Sequence, residues 1–236
     1  MHQALRVSIT RQMHLAYNAI TNVESNNELI SALQIHGFPQ SMIDQGETVY
    51  EAATLAVSSE IIAEEELCEN VKLSDGLQKQ IREIYSLFSD TAAKCFGKDA
   101  LEMLGLRTGK PRSSRAYCET LKLCIDKLYS YPELKQRIQT KGFDQNQIQY
   151  AFKITTDYEN AIDQLIKQEK ILENASKKRN TAIFTLKTWL SSFAEAFIAA
   201  SECKPYLIKQ LGIEKKELYD LAQINFRRSS KTVSVQ

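Results

Sequence analysis

Three carboxylates, Glu60, Glu64 and Glu169, fall at helix positions that the surrounding three-and-four spacing reserves for apolar side chains. Glu64 and Glu169 are also equivalent under an internal repeat of the chain. An acidic pair meeting between two helices is a binding site for a cation or a basic ligand. The plain alternative is a pair of helix ends that project past the core, with the carboxylates in water or paired with lysine. A second candidate lies in "LRTGKPRSSR" (106–115), which carries Arg107, Lys110, Arg112 and Arg115. With Ser113 and Ser114 just before a helix start, these cations offer a place for an anion such as phosphate. As a connector between two helical units, the same segment is basic simply because it faces solvent.

More specific chemistry is excluded by spacing. A di-iron bundle needs Glu-x-x-His on two helices, but His14 and His36 follow Arg11 and Leu33 at that spacing, and no such motif occurs. No His-x-x-x-His with a third ligand suggests zinc. Gly109-Lys110 is followed by Pro111, so the segment is not a phosphate-binding P-loop. Gly-x-Ser-x-Gly, Gly-x-Gly-x-x-Gly and Cys–His pairings are absent in context. Trp189, Phe193 and Phe197 form an aromatic stripe that core packing explains. No catalytic residue, metal site or cofactor is therefore assigned, and the sequence names no reaction.

Composition narrows the class without naming a function. The chain has 236 residues, 30 basic and 29 acidic side chains, and a net charge of +1. That balance leaves no overall electrostatic footprint for nucleic acid or an anionic membrane. The densest apolar run, "FAEAFIAA" (193–200), is interrupted by Glu195 and far too short to span a bilayer. The N-terminal "MHQALRVSITRQMH" lacks the apolar core of a secretory signal and reads as a first core helix. Cysteines stand at 68, 95, 118, 124 and 203, an odd number with no Cys-x-x-Cys. Free thiols in a reducing cytoplasm fit that pattern.

The elements that would position these residues follow from the repeat. Sliding the chain by 105 matches "LQIHGFPQSMI" (33–43) with "IQTKGFDQNQI" (138–148). Apolar stripes match without gaps, for example Ile81, Ile84 and Phe88 with Leu186, Trp189 and Phe193. Only 8 glycines and 4 prolines punctuate the chain, which favours long helices. The pattern predicts helices at about 3–24, 28–36, 39–70, 75–96 and 98–104, and again at about 113–130, 132–141, 144–173, 177–202 and 204–211. Each Gly-aromatic hinge is a helix stop: a glycine in the left-handed region, with Phe38 returning to Leu33 and Phe143 to Ile138. The same spacing puts Leu106 on Leu101 and Ile213 on Ile208.

The two-half layout, the Trp followed by "FAEAF" and the closing "QLGI" resemble bacterial all-helical tandem-repeat proteins of similar length. Those proteins carry no known activity, so the resemblance implies a fold alone. The expected architecture is all-α: an antiparallel up-and-down helical bundle of two tandem, pseudo-twofold-related units. It would be one domain over 1–226, with repeats at 3–106 and 113–213, an extra helix at 214–226 and a disordered tail at 227–236. The leading function is a non-enzymatic structural or protein-interaction bundle, as a homo-oligomer or with a protein partner, and not with nucleic acid or membrane. The alternative is a small-molecule or metal-binding bundle that uses the acidic residues between the repeats.

Overall fold

A computed structural model describes residues 2–106 and 111–232, and the side chains of all of these except 2–4, 98–103 and 224–232. Among the described residues every regular element is an α-helix. They are α1 (His2–Glu24), α2 (Asn27–Ile35), α3 (Gln40–Leu104), α4 (Ser114–Ser130), α5 (Pro132–Gln139), α6 (Gln145–Cys203), α7 (Leu207–Leu211) and α8 (Lys215–Thr232). The helix expected over 214–226 therefore reaches Thr232, into the stretch expected to be disordered. Residues 233–236 lie outside the described residues.

Local chemistry explains the helix ends. Asn26 caps α2 by accepting from the backbone N–H groups of Glu28 and Leu29 at 2.9 and 3.3 Å. Gly37 then sits at φ +81°, its N–H donating to Gln34 O, while the Phe38 N–H reaches Leu33 O at 3.0 Å. Those two bonds define the Schellman stop, and Leu33 and Phe38 are buried in the same core. The end of α5 repeats the arrangement. Gly142 is at φ +103°, Gly142 N–H donates to Gln139 O, and Phe143 N–H donates to Ile138 O at 3.3 Å. Asp144 and Gln147 form a reciprocal capping box at the entry to α6, with bonds of 2.7 and 2.9 Å. Leu106 is buried after Gly105, but its expected contact Leu101 lies outside the described side chains.

Two expected turns are not there. The sequence reading places turns at about 71–74 and 174–176, yet α3 and α6 run through both stretches as helix. The physical reason is a lack of breakers. "ENASKK" (173–178) has neither Gly nor Pro, and Gly76 alone costs a helix only about 1 kcal/mol. The one non-helical backbone residue inside α3 is Gly97, at φ +71° and ψ −164°, where the sequence reading also ends a helix.

The chain forms two compact units, residues 1–62 with 172–236, and residues 63–171. Each draws on both expected repeats, so the units do not follow the boundaries 3–106 and 113–213. The first unit's core gathers Leu29, Leu33, Phe38 and Ile43 against Trp189, Leu190, Phe193 and Phe197, with α1, α7 and α8 completing it. Phe38 meets Phe193 edge-on at 5.7 Å, and Trp189 stacks on Phe193 at 5.4 Å. The second unit's core gathers Ile81, Ile84 and Phe88 with Leu121, Ile125, Ile138, Phe143 and Ile148. There Phe143 meets Phe88 edge-on at 5.1 Å.

Candidate functional site

Glu60 is buried in the first unit, and both its oxygens are taken. Oε2 accepts from Arg179 Nη1 at 2.6 Å, and Oε1 accepts from Ser176 Oγ at 2.7 Å. Arg179 is itself only 10% exposed at its side chain and donates twice more, through Nε and Nη2, to Asn180 Oδ1 at 3.2 and 3.0 Å. The two buried charges balance each other, and Ser176 and Asn180 take up further hydrogen bonds of the pair. Such a pair holds a geometry, and a cation or basic ligand at Glu60 would have to compete with Arg179. The sequence reading missed Arg179, although the residue extends the α6 stripe of Leu165, Leu172 and Ala175 at the same three-and-four spacing. A basic residue on one stripe and an acidic one on another was the available signal.

Glu64 and Glu169 lie in the second unit, the first half-buried and the second exposed. Between them in character is Gln168, buried, whose Nε2 donates to Glu66 Oε2 at 2.7 Å and to the Ala63 carbonyl at 3.4 Å. Among the described residues, no group of three or more His, Cys, Asp or Glu side chains is placed to hold a metal ion.

Of the four cations in the linker, Arg107 and Lys110 lie outside the described residues. Arg112 is exposed, and Arg115 donates from Nε to Glu119 Oε1 at 2.8 Å one turn along α4. The hydrogen bond from Arg115 to Glu119 raises the guanidinium pKa further. Both serines have local duties. Ser113 Oγ accepts from Ala116 N–H at 3.2 Å as the cap of α4. Ser114 Oγ donates to Gln78 Oε1 at 2.8 Å and accepts from Arg82 Nη2 at 3.0 Å, which fixes the start of α4 to α3.

The second unit also has a groove of about 310 Å³ between α4 and α6, with Cys118, Tyr158 and Ile162 at its base and Arg115, Glu119 and Glu159 at its rim. At this rim Arg115 pairs with Glu119 and Lys122 with Glu159, and Asp163 also lines the groove. The Cys118 thiol points at the Thr155 carbonyl, and burial pushes its pKa up to about 11. It is a protonated thiol at neutral pH and has no thiolate for nucleophilic attack. Burial likewise raises the Tyr158 hydroxyl. Cys124, buried against the Leu104 carbonyl, is pushed up to about 12. These are the properties of thiols used for packing.

No protein-family model matches this sequence, and neither a curated protein nor a solved structure matches it. No helix among the described residues is long and apolar enough to cross a membrane.

Proposed function

We propose that the protein is a non-enzymatic helical module that works through its surface, as a structural or protein-interaction element. One observation carries the reading. In the second unit, the stretches 63–75 of α3 and 162–171 of α6 bury only Ala63, Ser74 and Gln168, while Val71, Leu73, Ile166 and Ile171 stay exposed. A helix that folds only for its own stability does the reverse, placing branched apolar residues inside and small polar ones outside. The acidic-ligand alternative draws no comparable support, because Glu60 is already occupied and Glu169 faces solvent.

The same reading takes the fold as two tandem units with pseudo-twofold symmetry, in kinship with bacterial helical repeat proteins. Three things support it. The stops at Gly37 and Gly142 repeat bond for bond. Phe38 packs on Phe193 just as Phe143 packs on Phe88, each repeat's hinge against the other repeat's helix. Positions 63 and 168, equivalent at an offset of 105, touch through the Gln168 to Ala63 hydrogen bond. The test of function is crosslinking in the source cells followed by mass spectrometry, alongside light scattering of the purified chain. A chain that is monomeric in solution and crosslinks to nothing refutes the interaction reading.

A further inference from the structure

The groove between α4 and α6 in the second unit contains polar groups that the fold itself leaves without partners. Tyr158 lines its base and is only 5% exposed. Among the described residues its hydroxyl makes no hydrogen bond. The oxygens that are both unpartnered and cut off from solvent are Gln12 Oε1 and Ser74 Oγ, so the Tyr158 hydroxyl still touches solvent, and the groove is the space it lines. Burial keeps it a neutral phenol, able to donate and to accept. A polar atom held this far from bulk solvent gains from a partner that enters the groove.

Asp163 supplies the charge. Arg115 is engaged by Glu119, and Glu159 by Lys122. Arg82 of α3 lies outside the lining and donates to Ser114 Oγ at 3.0 Å. Asp163 makes neither an ion pair nor a hydrogen bond among the described residues, so it is the lining carboxylate left without a cation. Ile162 and Ile166 supply an apolar wall. Ile166 is 48% exposed, and a ligand laid over it removes that surface from water. The groove's volume, about 310 Å³, is at the small end of the roughly 300–1,000 Å³ range of ligand sites.

We infer that this groove binds a small protonated amine that carries an apolar ring and a second polar group. The ammonium sits at Asp163, the ring on Ile162 and Ile166, and the polar end at the Tyr158 hydroxyl. An anion of the same size would meet Asp163 and Glu159 while the groove's cations are already engaged. The site is independent of the interaction reading, and either can fail alone.

Tyramine is the probe, because it joins an ammonium, a ring and a hydroxyl. The test is an NMR titration of the full chain labelled at its isoleucine methyls. Tyramine is expected to bind with a Kd on the order of 1 mM or below. It is expected to shift Ile162 and Ile166 and to leave Ile9 and Ile43 of the first unit unmoved. Phenethylamine, which lacks the hydroxyl, is expected to bind roughly fivefold more weakly. 3-(4-Hydroxyphenyl)propionate, with a carboxylate in place of the ammonium, is expected not to bind. Tyr158→Phe is expected to weaken tyramine by the same roughly fivefold and to leave phenethylamine unchanged. Asp163→Asn is expected to weaken both amines about two- to fivefold, most clearly at low salt. Both substitutions remove groups without partners in the fold, so circular dichroism and unfolding midpoint are expected to match wild type. If a variant fails to fold, the three probes on the wild type still decide the matter. No shift of Ile162 or Ile166 at several millimolar tyramine overturns the inference. Equal or tighter binding of the propionate overturns it as well, as does a tyramine affinity indifferent to either substitution.

Discussion

Substituting Gly46 by Ala tests the tightest contact in the first unit. Gly46 lies on the buried face of α3, where the indole of Trp189 is laid over its backbone. A Cβ built there would stand 2.2 Å from Trp189 Cζ2, 2.5 Å from Cε2 and 2.9 Å from Cη2. These are ring atoms that cannot bend away separately, so the whole indole must move. Moving it breaks the Nε1–H bond to the Met42 carbonyl, now 2.7 Å, and disturbs the stack on Phe193. In an open helix interior, Gly→Ala would add about 1 kcal/mol of stability through propensity alone. Against that stand about 1–3 kcal/mol for overpacking a filled core and about 1–3 kcal/mol for an indole N–H left dry without its acceptor. The loss wins, at about 2 kcal/mol net, or roughly 5 °C in Tm for a chain of this size. Trp189 is the only tryptophan, so urea unfolding followed by its emission reports this site directly, and the folded emission is expected to shift to the red. Gly76→Ala is the matched control, since it sits in the same helix with nothing within 4 Å of its Cβ. It is expected to gain about 0.5–1 kcal/mol. Adding Trp189→Phe to Gly46→Ala removes the clashing ring and is expected to recover part of the loss. If Gly46→Ala unfolds no earlier than wild type and leaves the emission unchanged, the argument from the indole contact is wrong.

Gly142→Ala meets no steric obstacle either, but its φ of +103° is a strained region for any residue with a Cβ. A loss of about 1–2 kcal/mol is expected in chemical denaturation. Arg179→Ala strands the Glu60 carboxylate in the core and is expected to lower stability by about 3–5 kcal/mol. The double change Glu60→Leu with Arg179→Met removes both charges and is expected to unfold within about 1–2 kcal/mol of wild type. A thiol reagent at neutral pH is expected to label the exposed Cys68 and Cys203 at once, and Cys118 and Cys124 only after denaturant is added. Both buried thiols have folded pKa values raised above the ordinary 9, to about 11 and about 12. Their contribution to stability is complete below pH 9 and falls as pH rises from there through 11 to 12, because the unfolded chain loses the protons first. Replacing both by Ala or Val is expected to flatten that alkaline decline in a pH series of denaturation midpoints.

The helix stops were the most legible part of the chain, because a Schellman motif is local. Gly37, Phe38 and Leu33 are within six residues of each other, and their types alone specify the bonds that form. The apolar stripes were legible for a similar reason: Ile81, Ile84 and Phe88 reveal a buried face whatever covers it. The continuity of α3 and α6 was not legible. A solvent-facing stretch such as "ENASKK" has the polar composition of a turn and of an exposed helix alike, and only missing breakers favour the helix. The surroundings of the acidic residues were illegible for a different reason. A stripe says that Glu60, Glu64 and Glu169 face a neighbour without saying which residue the neighbour supplies. Arg179 stands 119 positions from Glu60, and their pairing depends on the register of two long helices, which no short window of sequence contains.

That register is itself the argument for keeping polar groups in the seam. A pair of helices whose facing positions are all Leu or Ala can slide by a heptad at little loss, because every position meets an equivalent one. Within the first unit, a one-heptad slide would take Glu60 from Arg179 and Ser176 and leave a buried carboxylate and a buried guanidinium each without its partner. Within the second, a slide would take Gln168 from Glu66 and the Ala63 carbonyl. The native pairings add modest stability, but the shifted ones are penalised by several kcal/mol, so one alignment is selected. The exposed Val71, Leu73, Ile166 and Ile171 depend on that selection. A face made of residues from two helices has a fixed pattern of charge and apolar surface only when the helices cannot slip, and a surface that recognises a partner needs that pattern to be fixed.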